Sequence, residues 1–315
     1  MMKEVFKRAG MFACAGIIGF AGNAMAQEAE TETAEVATGL WAKPISNPVY
    51  TDLAIQKREI NLVYIFNPLP SHVDSSAGNI SMDGDLQALA LQAEIPIMEN
   101  LSFVANKSGA ISFRPDNDSL AKEEGWANLS GGLKWSFFQN EMLAAALRGT
   151  VEIPSGDTEV LQGNGRGSFS PAVLLTHMTP RYAVNGVLGA TVPFDSSELS
   201  SMGYASLSSA YRCTDKMSAL LELNWFRVLE AGHGETDFNE FGKEGHNVLE
   251  FEGGDLINLG AADSEKHADF VSMAVGARYQ LTDRVNVGVA YELPLTAKDR
   301  SLMDERVTLD VGMTF

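Results

Sequence analysis

From residue 60 onward the chain alternates apolar and polar residues with a period of two, in a succession of short runs. The clearest internal example is 143–153. Leu143, Ala145, Leu147, Gly149, Val151 and Ile153 fall on one side, and Ala144, Ala146, Arg148, Thr150 and Glu152 on the other. A period of two places such sets on opposite faces of a β-strand. The last run behaves the same way, with Val307, Leu309, Val311, Met313 and Phe315 alternating with Thr308, Asp310, Gly312 and Thr314. Twelve strands are predicted, over 60–66, 86–97, 101–110, 126–137, 143–153, 169–178, 182–194, 204–213, 217–229, 270–281, 285–293 and 305–315.

The links between these runs alternate in length. Those between the second and third, fourth and fifth, sixth and seventh, eighth and ninth, and tenth and eleventh strands are a few residues each. The others are longer, and 230–267 spans 38 residues. Short periplasmic turns alternating with long extracellular loops mark a transmembrane β-barrel, whereas Greek-key sandwiches have no reason to alternate. The expected fold is therefore all-β, an antiparallel transmembrane barrel of about twelve strands. Its apolar face meets lipid and its polar face the lumen. An even strand number leaves both ends periplasmic. Tyr182, Trp225, Tyr279, Tyr291 and Phe315 lie near strand ends on the apolar face, where interfacial aromatic girdles belong.

Both termini agree with export to an outer membrane. Lys3, Lys7 and Arg8 precede an uncharged apolar stretch, 9–22, and Ala24-Met25-Ala26 is a small-x-small cleavage site. Residues 1–26 thus read as a signal peptide. The run 305–315 resembles the C-terminal signal strand through which the barrel-assembly machinery recognises its clients, making Val307, Leu309, Val311, Met313 and Phe315 the expected assembly signal. Residues 27–40 carry four Glu and no basic residue, and read as disordered. Residues 41–58, with Pro44 and Pro48, read as a periplasmic lead into the first strand, an internal plug being the alternative. The barrel would occupy 59–315.

Charge and cysteine content narrow the class further. The formal net charge of -18 argues against nucleic-acid binding, which needs a basic footprint. After removal of residues 1–26 only Cys213 remains, so no internal disulfide can form. Cys213 is expected on the outward face of a strand in a packing role. No cofactor is implied, and the expected partners are outer-membrane lipid, the assembly machinery and a small-molecule solute, for a monomeric barrel.

Several short motifs recur in order: Ile95-Pro96-Ile97 with Asn100-Leu101-Ser102, Gly131-Gly132-Leu133-Lys134, Glu152-Ile153-Pro154-Ser155-Gly156-Asp157, and 163–175 with Pro171. Together they resemble the outer-membrane barrel family named after the meta-cleavage pathway of phenol degradation, over roughly 60–315. Ser155 stands where that pattern has Thr, and the acidic loop 230–267 is a departure. The resemblance implies an outer-membrane transporter taking up hydrophobic or aromatic compounds, and it supplies no binding residues.

The candidate functional residues are those on the polar faces: Lys134, Arg148, Glu152, Arg212, Glu222, Asn224, Arg278, Glu292 and Asp310. Two arrangements are open. They could line a conducting lumen and select solutes, or pair across it and fill a closed structural barrel. An outer-membrane hydrolase would need a Ser nucleophile beside a His base. Of the five His, only His177 falls on a strand, on its apolar face, so no enzyme is expected. The acidic residues of 230–267, with His233 and His246, show no ordered ligand spacing, so no metal site is expected there.

The topology places 67–85, 107–125, 154–168, 195–203, 230–267 and 297–304 outside the cell. In a Cys213→Ser background, single cysteines in these loops should react with an impermeant thiol reagent on intact cells. A cysteine at Asp215, in the turn 214–216, should react only after permeabilisation; labelling there on intact cells would reverse the orientation.

Overall fold

The computed structural model describes residues 39–75, 78–117, 122–232, 269–296 and 301–315. The expected signal peptide, residues 27–38 of the acidic stretch 27–40 and nearly all of the loop 230–267 lie outside the described residues. Leu40, expected as part of that disordered stretch, is instead buried at the start of a 3-10 turn. Sixteen strands follow in chain order: β1 (Glu59–Pro68), β2 (His72–Ser75), β3 (Gly78–Ser81), β4 (Gly84–Met98), β5 (Leu101–Lys107), β6 (Ala110–Pro115), β7 (Glu123–Trp126) and β8 (Leu129–Gln139) come first. Then come β9 (Leu143–Ile153), β10 (Ser168–Met178), β11 (Tyr182–Pro193), β12 (Ser201–Arg212), β13 (Met217–Glu230), β14 (Asp269–Gln280), β15 (Val285–Pro294) and β16 (Arg306–Thr314).

Twelve of them, β1, β4, β5 and β8 to β16, form a closed antiparallel barrel. Closure comes from β1, which pairs with β16 on one side (Leu62 opposite Val311, Tyr64 opposite Leu309) and β4 on the other (Leu62 opposite Leu91, Tyr64 opposite Leu89). A closed barrel leaves no unpaired backbone edge, a requirement for any sheet in hydrocarbon.

The loop end is more structured than the sequence suggests. β6 continues β5 beyond a break at Ser108 and Gly109, pairing with the same neighbour, β4. β7 leads into β8 and pairs with β6. The expected loop 107–125 therefore shrinks to the tip between Pro115 and Glu123. Alternation is weak here, which is why periodicity ended the third strand early. The expected loop 67–85 carries the hairpin β2–β3.

Outward and inward faces separate cleanly. On β9, Leu143, Leu147, Val151 and Ile153 are exposed, while Ala144, Ala146, Arg148 and Thr150 are buried. The assembly-signal residues Leu309, Val311 and Phe315 are exposed and Val307 and Met313 partly so, whereas Thr308 and Asp310 point inward and are buried. Tyr182, Tyr279 and Phe315 sit outward at the short-turn end, and Trp225 and Tyr291 outward towards the loop end. Trp225 donates its indole N–H to Asp269 at 2.8 Å. His177 is exposed on the outer face.

Cys213 differs from expectation. β12 ends at Arg212, and Cys213 opens the hairpin turn, its N–H donating to Met217 O at 2.9 Å. Its thiol is exposed rather than packed.

Inside the wall one close approach is decisive. A Cβ added to Gly189 on β11 would lie 2.3 Å from Tyr204 Cζ on β12. The Tyr204 ring is buried and lies 4.5 Å, centroid to centroid, from Tyr50, so it has no free direction of retreat. Gly189→Ala should therefore destabilise the barrel by about 1–3 kcal/mol, the usual range for overpacking. Urea unfolding in lipid vesicles would measure it, and the penalty should fall in a Tyr204→Ala background if the ring is its cause.

Candidate functional site: the occupied lumen

The interior is not filled by wall side chains alone. Residues 39–58 run inside the barrel, so that 41–58, expected as a periplasmic lead, take the alternative position of an internal plug. They enter at the short-turn end, rise along β11 to β14, turn at Asn47–Thr51, and descend along β8, β9 and β4 to the start of β1. Leu40, Ala42, Ile45, Leu53 and Ala54 are almost fully buried. This stretch has no period in sequence because it is neither helix nor strand beyond one 3-10 turn at Leu40–Ala42. Its scattered apolar residues fit a lumen as well as an exposed lead, so position could not be read from pattern.

An irregular backbone in a confined space must find partners for its N–H and C=O groups. The wall side chains supply them. On the rising limb Ser218 Oγ donates to Trp41 O at 2.6 Å, Asn185 Nδ2 to Ala42 O at 3.0 Å and Arg278 Nη2 to Lys43 O at 3.2 Å. Glu222 accepts from Ile45 N at 2.9 Å, Ser46 N at 3.0 Å and Ser46 Oγ at 2.7 Å. At the tip, Gln92 Nε2 donates to Pro48 O at 2.8 Å, Asn106 Nδ2 to Val49 O at 3.0 Å and Arg148 Nη2 to Tyr50 O at 2.7 Å. On the descending limb Ser136 Oγ donates to Ala54 O at 2.8 Å, and Thr176 Oγ1 accepts from Ala54 N at 2.9 Å.

A charged cluster fixes the descending limb. Lys134 on β8, wholly buried, places Nζ 2.6 Å from Glu94 Oε2 and 2.9 Å from Asp52 Oδ2, with Leu53 O and Ile55 O each at 3.0 Å. Three ammonium protons are thus shared among four acceptors. Lys57 bonds to Asp52 and lies 3.4 Å from Glu59 and 3.6 Å from Glu94, while Lys43 donates to both oxygens of Glu59 at 2.9 Å. Three lysines and three carboxylates therefore compensate each other, half from the segment and half from the wall.

The remaining predicted residues also point inward. Arg278 and Asp310 form a two-bonded pair at 3.0 and 2.8 Å. Asn224 Nδ2 donates to Ser46 Oγ and to Glu292 Oε1, each at 3.0 Å, and Arg306 lies 3.8 Å from Glu292. Glu152, half-buried towards the loop end, accepts from Lys107 at 2.9 Å and Asn128 at 2.7 Å. Arg212 places its guanidinium 4.6 Å from the Trp41 ring centroid, a cation–π contact where the segment enters. Of the two arrangements left open, neither describes this interior fully. Most of these groups meet the inserted segment, directly or through one neighbour, rather than an open lumen or one another.

Lys43, Asp52, Lys57, Glu59, Glu94, Asn106 and Lys107 were not singled out by sequence reasoning. Glu94 was findable, since it shares the polar parity of its strand with Gln92. The segment's charges were not. The loop half of the lumen mixes polar groups such as the Glu152–Lys107 pair with an apolar cluster, in which Val63, Ile65, Leu86, Ile111, Phe113, Val160, Leu161 and Leu302 pack together. Tyr50, Tyr204, Phe226 and Phe270 form a chain of ring contacts along the inner wall.

A cavity of about 40 Å³ lies beside the turn of the segment, with Lys43, Asp52, Lys57, Glu59, Glu94 and Arg148 among its walls. A ligand pocket for a drug-sized molecule is roughly 300–1,000 Å³, so this space suits a few waters or a small ion.

Lys134→Met keeps the side-chain stem but leaves Asp52 and Glu94 with one cation fewer in a buried setting. The barrel should lose about 3–5 kcal/mol, as when a buried pair is broken. The heat needed to convert the folded, fast-migrating form on electrophoresis should fall accordingly.

No family model matches the chain, and no curated protein matches it. The phenol-pathway resemblance therefore rests on its motifs. Among solved structures, the chain is similar to an outer membrane channel from Pseudomonas putida F1, with a TM-score of 0.57 and 14% identity over 86% of this chain and 100% of that one. It also aligns with the KdgM porin (TM-score 0.45, 9% identity, 82% and 99% covered) and the NanC porin (0.46, 7%, 82% and 98%). At 14% identity the likeness to the first of these speaks for the fold: a twelve-stranded outer-membrane β-barrel.

Proposed function

We propose that this protein is an outer-membrane channel for passive passage of small molecules, narrowed by its own residues 39–58. The observation that carries this reading is the separateness of the filler. A barrel closed for purely structural reasons can fill itself with wall side chains, as small barrels do. Here the space is taken by a chain segment attached at Glu59 and held by hydrogen bonds and ion pairs. Those contacts can be exchanged for water without opening the wall. The segment leaves too little room beside it for an organic solute, so passage requires it to shift.

The outward apolar faces and two levels of outward aromatic residues support placement in a membrane. The solute class is a further step. The phenol-pathway resemblance implies hydrophobic or aromatic compounds, and the inner aromatic chain Tyr50, Tyr204, Phe226 and Phe270 is compatible with them.

Deleting residues 39–57, with the signal sequence retained, should give a folded barrel whose unit conductance in planar bilayers is several-fold that of the intact protein. If both forms insert and neither conducts, the barrel is structural and the channel reading fails.

A further inference from the structure

We propose that Arg148 and the cavity beside it form a binding site for a small anion, a halide or the carboxylate group of a small acid, inside the lumen.

Charge accounting leads there. Around the cavity stand Asp52, Glu59 and Glu94, and each is engaged by a lysine: Lys134 and Lys57 serve Asp52 and Glu94, and Lys43 and Lys57 serve Glu59. Three cations meet three anions. Arg148 is the fourth cation, it is 4% exposed, and among the described residues no carboxylate lies within 4.0 Å of it. Its one hydrogen bond is donated by Nη2 to Tyr50 O, and Nε is buried with no partner.

Glu222 makes the contrast. It too is buried and lacks a cation within ion-pair distance, yet it receives three hydrogen bonds from Ile45 and Ser46. The inserted segment satisfies the lone carboxylate and leaves the lone guanidinium with a single carbonyl. The guanidinium's electrostatic counter-charge, Asp52, lies beyond ion-pair distance and is already shared with Lys134 and Lys57. A buried charge so thinly compensated is costly, and an arginine cannot relieve it by losing its proton. The cavity lies beside the guanidinium, lined by Arg148, by the lysine-paired carboxylates, and by the Gln92 and Asn106 amides, whose N–H groups already donate to Pro48 O, Asn106 O and Val49 O. Arg148 Nε is the unpartnered donor there. Asn106 Oδ1, also unpartnered, is an acceptor and calls for a water beside the anion. The volume of about 40 Å³ excludes anything larger than a small ion or one carboxylate group.

The full-length mature barrel in detergent tests this at constant sodium concentration, with gluconate, too large for the cavity, as the reference anion. Replacing gluconate by chloride or acetate should raise the unfolding midpoint of the intact protein, because a ligand bound only to the folded state stabilises it. Arg148→Gln should abolish that shift, and Arg148→Lys should retain part of it. A shift with acetate and not chloride assigns the carboxylate; a shift with both assigns small anions generally. In crystals soaked in sodium bromide, an anomalous peak should lie against the Arg148 guanidinium. That measurement on the intact protein decides the matter should Arg148→Gln fail to fold. Equal midpoints in all three anions, a shift that persists in Arg148→Gln, or, where chloride also shifts the midpoint, no bromide beside Arg148 would each overturn the site and leave ordered water as the occupant. Conductance is independent of these outcomes: a silent barrel with a bromide site refutes the channel, and a conducting one without it refutes only the site.

Discussion

Lys134 is the contact on which the interior depends. Among the described residues it is the only wall cation that touches both Asp52 of the inserted segment and Glu94 of the wall, and its remaining proton goes to the segment's backbone. In a space this dry, each member of the cluster needs its partners to remain charged at tolerable cost. The segment therefore cannot leave piecemeal: withdrawing Asp52 and Lys57 strips counter-charges from Lys134, Glu94 and Glu59 together. Charge pairing sets one position of the filler, which the apolar contacts of Leu53, Ala54 and Tyr50 then pack around.

Barrel geometry explains why a filler exists. Twelve strands enclose more space than side chains from the wall can occupy, yet less than a wide porin. The lumen is accordingly divided. Ion pairs and amide contacts hold the segment in the half nearer the short turns, and apolar residues from the loops, among them Val160, Leu161 and Leu302, close the other half. The two halves thus differ in lining, the loop half carrying the larger share of apolar residues. Arg148 stands between them, bonded to Tyr50 at the turn of the segment.

Periodicity carried most of the wall. Twelve runs of period two became twelve barrel strands, and the short–long alternation of links became the two ends of the barrel. The inward set Lys134, Arg148, Glu152, Arg212, Glu222, Asn224, Arg278, Glu292 and Asp310 was also legible, because a strand's parity assigns each side chain to a face before any contact is known. Parity failed where strands break: the predicted strands 101–110 and 126–137 ran across the breaks at Ser108-Gly109 and Ala127-Asn128, and most of β6 and β7 was read as the polar loop between them. It also misjudged Cys213, one residue past the end of β12, where the turn and not the strand sets its exposure.

What parity cannot give is the partner across the lumen. Asn61 and Glu94 look alike in sequence as polar inward positions, and only three-dimensional placement sets Glu94 against Lys134 and Lys57. Residues 39–58 have no period, because their contacts come from many different wall strands, and their neighbours are up to 235 residues away, as for Lys43 and Arg278. The local rule that a strand shows alternate faces is written residue by residue and so survives in the sequence. The binding of an irregular segment inside a closed wall is written only in distances between remote residues, and closure of the barrel brought those distances into being.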